Sequence, residues 1–141
     1  MKLDDEQIRH FAVICDALSD EDDSLKREIL THAGNRWSLG VIYTLGVKGT
    51  LRHAELAKAL PGVTQRMLTR TLRQLERDGL ISRYDHQQKY PHPRVDYALT
   101  ELGKGMLLNM VPMWNWVIDN AALLRQARED FAGLTSDSEQ Q

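Results

Sequence analysis

The sequence predicts a mainly α-helical domain with one small β-hairpin, and three observations support this prediction. Apolar residues recur at helical spacing in several segments that glycine or proline separates. After Gly79 the pattern changes to alternation, in residues 80–84 and again in residues 94–100. A length of 141 residues, with 42% hydrophobic and 27% charged residues, is typical of a single globular domain.

The N-terminal part predicts two helices joined by an acidic segment. The first, residues 3–18, carries one apolar stripe that should pack on its own core or on a second subunit. Residues 19–24, SDEDDS, are expected to form a solvated loop that caps the next helix. A carboxylate metal site is the alternative, but no glycine turn or partner ligand set accompanies it. The stripe consists of Ile8, Phe11, Ala12, Cys15 and Leu18, and the second helix, residues 25–33, should point Leu25, Ile29 and Leu30 inward.

The middle of the chain predicts three further helices. Residues 36–46 form a strongly apolar helix for the centre of the domain, which Gly46 should end. Residues 51–60 form a short helix, and Pro61-Gly62 makes a tight turn before the next one. A helix, a short turn and a second helix with a polar outer face make a helix-turn-helix, in which the second helix reads bases.

That second helix, residues 63–78, has two distinct faces. Leu68, Leu72 and Leu75 form its buried stripe. Thr64 is a suitable N-cap, Val63 before it can pack on Leu68, and Gly79 supplies the stop. The opposite side carries long donors, which suit a DNA major groove because Arg pairs with guanine and Gln with adenine. A solvated surface helix is the alternative, since Arg is also a good helix former.

The alternating segments after Gly79 predict a β-hairpin with a polar tip closed by two prolines. A hairpin placed directly after a recognition helix is a wing, which can lie along the neighbouring minor groove and phosphates. Residues 66–94 hold seven Lys/Arg and three Asp/Glu, so helix and hairpin share the excess positive charge.

Residue 100 onward predicts a long final helix, capped by Thr100 and kinked at Pro112. Its apolar residues occupy too much of the circumference for one contact face, so we expect a dimer interface shared with the first helix. A helix covered by its own chain is the alternative. The predicted interface residues are Ile8, Phe11, Cys15, Met106, Met110, Met113, Trp114 and Val117.

Charge and composition narrow the function. The net charge of −2 hides a basic centre, because residues 34–105 hold twelve Lys/Arg and six Asp/Glu while both ends are acidic. This distribution favours a nucleic-acid surface. No apolar run or signal-peptide core suggests a membrane segment, and one cysteine excludes an intrachain disulfide, so a cytoplasmic location is expected.

A sequence-specific DNA-binding transcriptional regulator is therefore the main hypothesis, with repression the working assumption and activation open. A winged-helix protein–protein module without specific DNA binding is the alternative. No metal, cofactor or enzyme activity is expected, because the five histidines lack metal spacing and no catalytic motif is present. The expected base contacts are Thr64, Gln65, Thr69, Arg70 and Arg73, the phosphate contacts Arg66 and Arg77, and the wing contacts Lys89 and Arg94.

Three segments, in this order, carry a resemblance to a known family: NRWSLGVIYTL, RHAELAKALPGVTQRMLTRTLRQLERDGLISR and VDYALTELG. Together they resemble the HxlR-type family of bacterial winged helix-turn-helix regulators, relatives of the MarR group. The resemblance covers roughly residues 25–117. It implies a homodimer with interleaved N- and C-terminal helices, and two recognition helices that read the half-sites of an inverted repeat.

The sequence departs from the resemblance at two positions. Ser24 stands where many members carry a sensing cysteine, and Cys15 lies earlier on an apolar side, where an inert role is expected. His53 stands where the family commonly has an aromatic residue, a difference expected to alter only packing. A small apolar effector between the Trp37 helix and the Trp114 region is an additional hypothesis, with plain core packing as its alternative.

The predicted organisation is therefore a winged helix-turn-helix with extra N- and C-terminal dimerisation helices. Residues 1–24 form the N-terminal dimerisation helix and acidic loop, and residues 25–105 the DNA-binding domain. Residues 106–132 form the C-terminal dimerisation helix, and residues 133–141 a disordered tail.

Overall fold

The computed structural model describes residues 3–140 and confirms the predicted class: helices dominate, and one small antiparallel sheet accompanies the helix-turn-helix. Residues 1, 2 and 141 lie outside the described part. The elements in chain order are α1 Asp5–Asp16, α2 Asp20–Gly34, α3 Arg36–Lys48, β1 Leu51–Arg52, α4 His53–Ala59, α5 Gln65–Arg77, β2 Ile81–Asp85, β3 Val95–Leu99, α6 Glu101–Asp119 and α7 Ala121–Glu139.

The core gathers around α3, which packs against α5, α6 and β3. Val41 and Ile42 of α3 are fully buried and meet the leucine stripe of α5, as the helical spacing predicted. The buried apolar residues are Val41, Ile42, Leu45, Leu56, Leu60, Leu68, Leu72, Leu75, Leu80, Ile81 and Met110.

The sheet has the order β1-β3-β2, with both pairs antiparallel. The hairpin β2–β3 was predicted, and its register pairs Ile81 with Leu99. The strand β1 was not: residues 51 and 52 were expected to begin a helix. They instead pair with Tyr97 and Asp96, because the sheet edge offers partners for their backbone. The helix α4 then starts at His53.

The acidic segment is the first turn of α2 rather than the predicted loop, but its predicted role as the cap of this helix is confirmed. Ser19 caps α2 by accepting a hydrogen bond from the Asp22 backbone N–H, at 3.1 Å, and Asp20 to Asp23 form the first turn. Carboxylates there interact favourably with the positive end of the helix dipole. The inward placement of Leu25 and Leu30 was also wrong, since both are more than half exposed and Ile29 alone is half-buried.

Two helix ends differ from the prediction as well. Gly46 does not stop α3, which continues to Lys48 and ends at Gly49, whose φ of +80° a glycine adopts without strain. Gly46 instead gives room to the Leu107 side chain, which a Cβ at this position would meet.

The C-terminal region forms two helices rather than one. The helix α6 continues through Pro112, where a kink was predicted, and the break falls at Asn120. The tail was expected to be disordered, but α7 extends to Glu139, and the hydroxyls of Thr135, Ser136 and Ser138 donate to backbone carbonyls of the preceding turn.

Candidate nucleic-acid interface

The helix α5 divides its side chains between core and solvent. Leu68, Leu72 and Leu75 are buried as predicted, and Thr71 is buried beside them. All seven residues of this region that were predicted to contact DNA are exposed: Thr64, Gln65, Arg66, Thr69, Arg70, Arg73 and Arg77.

The start of α5 is fixed as the sequence predicted. Thr64 Oγ1 accepts a hydrogen bond from the Met67 backbone N–H at 3.1 Å, and Val63 is partly buried against the core. The oxygen of the Thr64 hydroxyl therefore caps the helix, and its O–H is still available to donate to an outside acceptor.

Four side chains on the outer face of α5 have no polar partner in the described chain. Within residues 3–140, no hydrogen bond or ion pair engages the side chains of Gln65, Arg66, Arg70 and Arg73. They are one amide and three guanidiniums on the solvent side of one helix. Guanidiniums bind guanine edges and phosphates in a two-pronged geometry, and a Gln amide does the same with adenine.

Besides the cap residue Thr64, two of the seven exposed residues have partners inside the chain. Thr69 Oγ1 lies 3.2 Å from His53 Nε2. Arg77 donates from Nε to Asp78 Oδ1 at 3.1 Å, and Asp78 also accepts from His32 Nε2 at 2.6 Å. Arg77 is therefore held by Asp78 at the C-terminal end of α5, one helical turn beyond Arg73.

The base of the wing is an ion cluster around Asp96. Its carboxylate accepts from His86 Nε2 at 2.8 Å, lies 3.5 Å from Arg94 Nη2, and lies 4.0 Å from Arg52 Nε. The hydrogen bond from His86 lowers the pKa of the Asp96 carboxyl below its ordinary value, and burial, which raises it, does not cancel this effect. Arg94, which was predicted to contact DNA from the wing, is half-buried and takes part in this cluster.

The wing tip carries groups that sequence reasoning passed over. Lys89 is exposed, as its predicted DNA contact requires. Tyr84 stacks edge-on against His86 at 4.6 Å between ring centroids, and Tyr90 is 89% exposed. The polar composition of the tip gave no signal for this aromatic contact.

Between α5 and the sheet lies a groove of about 600 Å³. It is open, and three arginines and one acidic residue, Glu76, are among the residues that line it. The groove lies between the outer face of α5 and the wing, so residues of both elements line it. Its lining consists of Thr69, Arg73, Glu76, Arg77, Arg83 and Tyr97.

Across residues 3–140, no group of three or more His, Cys, Asp and Glu side chains is placed to hold a metal ion. None of the helices described is both long enough and apolar enough to cross a membrane.

Comparison with known proteins identifies this arrangement. The family model of HxlR-like helix-turn-helix proteins matches residues 32–124. The chain belongs to the HxlR-like helix-turn-helix family. The match begins near the end of α2 and includes the helix-turn-helix, the wing, α6 and the start of α7, so it covers the whole exposed face described above.

Relatives and solved structures agree with this assignment. An HTH-type transcriptional regulator of Methanothermobacter thermautotrophicus is 45% identical over 85 residues, which cover 59% of this chain and 61% of that protein. The chain thus spans about three fifths of this relative's length. A transcriptional regulator from Salmonella typhimurium matches with a TM-score of 0.62 and 32% identity, over 74% of this chain and 90% of that one. A MarR-family regulator from Enterococcus faecalis matches with a TM-score of 0.60 and 32% identity, over 79% and 96%.

The terminal helices α1 and α7 of this HxlR-type chain are not packed into the core. Neither α1 nor α7 has a buried residue. Of the predicted interface residues, Ile8, Phe11 and Cys15 on α1 and Met113 and Val117 on α6 are exposed. Met106 and Trp114 are half-buried against the core.

The prediction that Met110 lies in a dimer interface was wrong, because its side chain is 7% exposed and belongs to the core of its own chain. Little of its surface is left for a partner. Cys15, by contrast, is exposed on α1 and does not pack against the core of this chain.

The two tryptophans of the hypothesised effector pocket, Trp37 and Trp114, are both partly buried against the core. Trp37 lies against the core, and Trp114 meets Tyr43 edge-on, with 6.4 Å between ring centroids. An apolar groove of about 470 Å³ exists elsewhere, between α3, β3 and α6, where Leu45 and Leu107 line it.

Proposed function

We propose that this HxlR-type regulator binds a specific inverted-repeat operator as a homodimer. In each half-site, α5 enters the major groove and the wing follows the flanking minor groove. The observation that carries the proposal is the outer face of α5, where Gln65, Arg66, Arg70 and Arg73 are exposed without a partner in the described chain. An unpaired row of this kind suits an external acceptor surface, and DNA offers base edges and phosphates at this spacing.

Within this proposal, residues near the start and centre of the helix read base edges, and cations toward its rim hold phosphates. Each good two-pronged base contact is worth about 1–3 kcal/mol of discrimination. Base reading is assigned to Thr64, Gln65, Thr69, Arg70 and Arg73, phosphate binding to Arg66 and Arg77, and wing contacts to Lys89 and Arg94.

The homodimer is supported by uncovered apolar surface at both ends of the chain. Phe11 on α1 is 50% exposed, Trp116 on α6 is 51% exposed and Phe131 on α7 is 67% exposed. Large apolar side chains in such number on helices without their own cover are typical of an interface. Two copies joined through these helices present two recognition helices, which matches the symmetry of an inverted repeat.

A small apolar effector stays part of the proposal, with its place moved to the groove between α3, β3 and α6. This groove touches β3, which belongs to the wing. A bound molecule there is in a position to alter the wing relative to the core.

Selection of duplexes from a random pool tests this function. The expected result is an enriched inverted repeat whose half-sites are about one helical turn apart. An unenriched pool, with weak retention of all sequences, would support the winged-helix protein–protein module instead.

A further inference from the structure

The side chain of Thr69 is held from outside its own helix. His53, the first residue of α4, places Nε2 3.2 Å from Thr69 Oγ1, and the two groups share a hydrogen bond whose donor depends on the imidazole tautomer. His53 is half-buried, whereas Thr69 is exposed at the middle of the outward face of α5. One turn away on either side along this face lie Gln65 and Arg73.

A threonine within a helix can turn its hydroxyl back to a carbonyl of the preceding turn. Thr31 and Thr135 do so in this chain, by donating to the Glu28 carbonyl and to the Phe131 and Ala132 carbonyls, whereas Thr44 and Thr71 make no such bond in the described residues. Thr69 makes no backbone bond either, but its hydroxyl meets His53. Within residues 3–140, this contact is the hydrogen bond that orients the hydroxyl of Thr69.

The element that carries His53 is itself well anchored. The Glu55 carboxylate accepts a hydrogen bond from the Arg52 backbone N–H at 3.1 Å, which closes the start of α4. Arg52 in turn pairs with Asp96 in the sheet. The imidazole thus reaches Thr69 from a position fixed by both α4 and the wing.

We propose that His53 is a positioning residue that determines which base Thr69 recognises. With the hydroxyl committed to His53, the methyl group of Thr69 is left for the DNA, and a methyl in the major groove recognises the C5-methyl of thymine. The β-branched side chain holds this orientation because few rotamers are open to it. This inference rests on the proposed function and adds to it a thymine at one position of each half-site.

The test replaces thymine by deoxyuridine, which removes only the C5-methyl, at each position of the selected half-site. For the native protein we expect one position where the replacement weakens binding about fourfold per half-site, the value of one buried methyl group. Thr69→Val keeps a methyl and should retain this discrimination, whereas Thr69→Ser removes the methyl and should lose it.

The positioning role is tested by coupling. His53→Phe frees the hydroxyl of Thr69 and should reduce the thymine preference toward none. In the Thr69→Val background the same His53→Phe change should have no effect on the preference, because no hydroxyl is left to hold. If His53 had a purely structural role, His53→Phe would lower the affinity for all duplexes alike, both in the native protein and in the Thr69→Val variant.

Several outcomes would overturn the inference. Equal binding of thymine and deoxyuridine duplexes at every position is one, and an unchanged thymine preference in His53→Phe is another. If His53→Phe does not fold, as monitored by circular dichroism, the comparison of Thr69→Val with Thr69→Ser still decides whether the methyl reads thymine. A native protein that prefers no duplex at all would contradict the proposed function itself, which is a separate result.

Discussion

His32 Nε2 and Asp78 Oδ2 lie 2.6 Å apart and join α2 to the C-terminal end of α5. His32 Nε2 donates to the Asp78 carboxylate, and Nδ1 lies 3.2 Å from Ser38 Oγ on α3. His32 is buried and Asp78 nearly so. Three helices therefore meet at one imidazole, which fixes how α5 sits on the core.

Removal of this imidazole should destabilise the fold. His32→Ala leaves the buried Asp78 carboxylate with Arg77 alone and leaves Ser38 without its partner, so we expect the free energy of unfolding to fall by about 2 kcal/mol. Urea denaturation measures this change. His92→Ala, an exposed change on the wing, serves as the control and should stay within about 0.5 kcal/mol of the native protein. Equal effects of the two changes would contradict the role of the pair.

The pH dependence of stability should report Asp78. Burial raises the pKa of this carboxyl, but the hydrogen bonds from Arg77 and His32 outweigh burial and leave the pKa below its ordinary value. A folded-state pKa below the unfolded one means that ionised Asp78 stabilises the fold above the unfolded value of about 3.9. This contribution is lost as the pH falls through the lower, folded-state pKa.

Denaturation midpoints measured from pH 6 down to about pH 2 should therefore drop more steeply for the native protein than for Asp78→Asn, which has no carboxyl to protonate. Parallel curves for the two proteins would show that Asp78 does not contribute.

Two glycines of α6 should respond in opposite ways to alanine. A Cβ at Gly103 would meet the backbone carbonyl oxygen of Leu80, which cannot move aside, so Gly103→Ala should destabilise the fold by about 2 kcal/mol or more. Gly105 has no atom near the position of a Cβ, and Gly105→Ala should stabilise by about 0.5–1 kcal/mol through helix propensity. Thermal melts of both variants measure the difference, and a loss at both positions would contradict it.

Arg70 and Lys89 should affect DNA binding differently. Arg70→Ala should relax the sequence preference at one position per half-site, because a base contact is removed. Lys89→Ala should weaken all sequences alike and make the salt dependence shallower by about one charge per wing. Titration of selected and scrambled duplexes over a range of salt concentrations separates the two. An unchanged binding profile for Arg70→Ala would contradict the assignment of this helix face.

The dimer should depend on the apolar face of α1. Phe11→Glu places a charge on a surface that the proposed interface buries, so we expect the mass in sedimentation equilibrium to move from two chains toward one. Tyr90→Glu, which places the same charge on an exposed aromatic side chain of the wing tip, is the matched control and should leave the mass unchanged. A mass that is the same for both variants would place the interface elsewhere.

Much of the fold could be predicted because local patterns specify it. The alternation of leucines and donors in α5, the cap at Thr64 and the stop at Gly79 are all confirmed. The strand β1 was missed because two residues are too short to show alternation, and only pairing with β3 defines them. The break at Asn120 was missed because Pro112 gave a stronger local signal.

The candidate site was predicted as a face but not as a network. Helical spacing placed Gln65, Arg70 and Arg73 on one side. The contacts of His53 with Thr69 and of His32 with Asp78 join residues 16 and 46 positions apart, and no periodicity reports such distances. These long-range contacts hold the orientation of α5, which is a property of the folded chain.

The proposed functional unit of this regulator is a dimer that reads a specific duplex. Fluorescence anisotropy with the selected inverted repeat and a scrambled duplex, each at two salt concentrations, tests it most directly. We predict saturation at two chains per duplex, a preference of ~10³ or more for the selected site, and weaker binding at the higher salt concentration. Equal, weak binding to both duplexes would contradict the account.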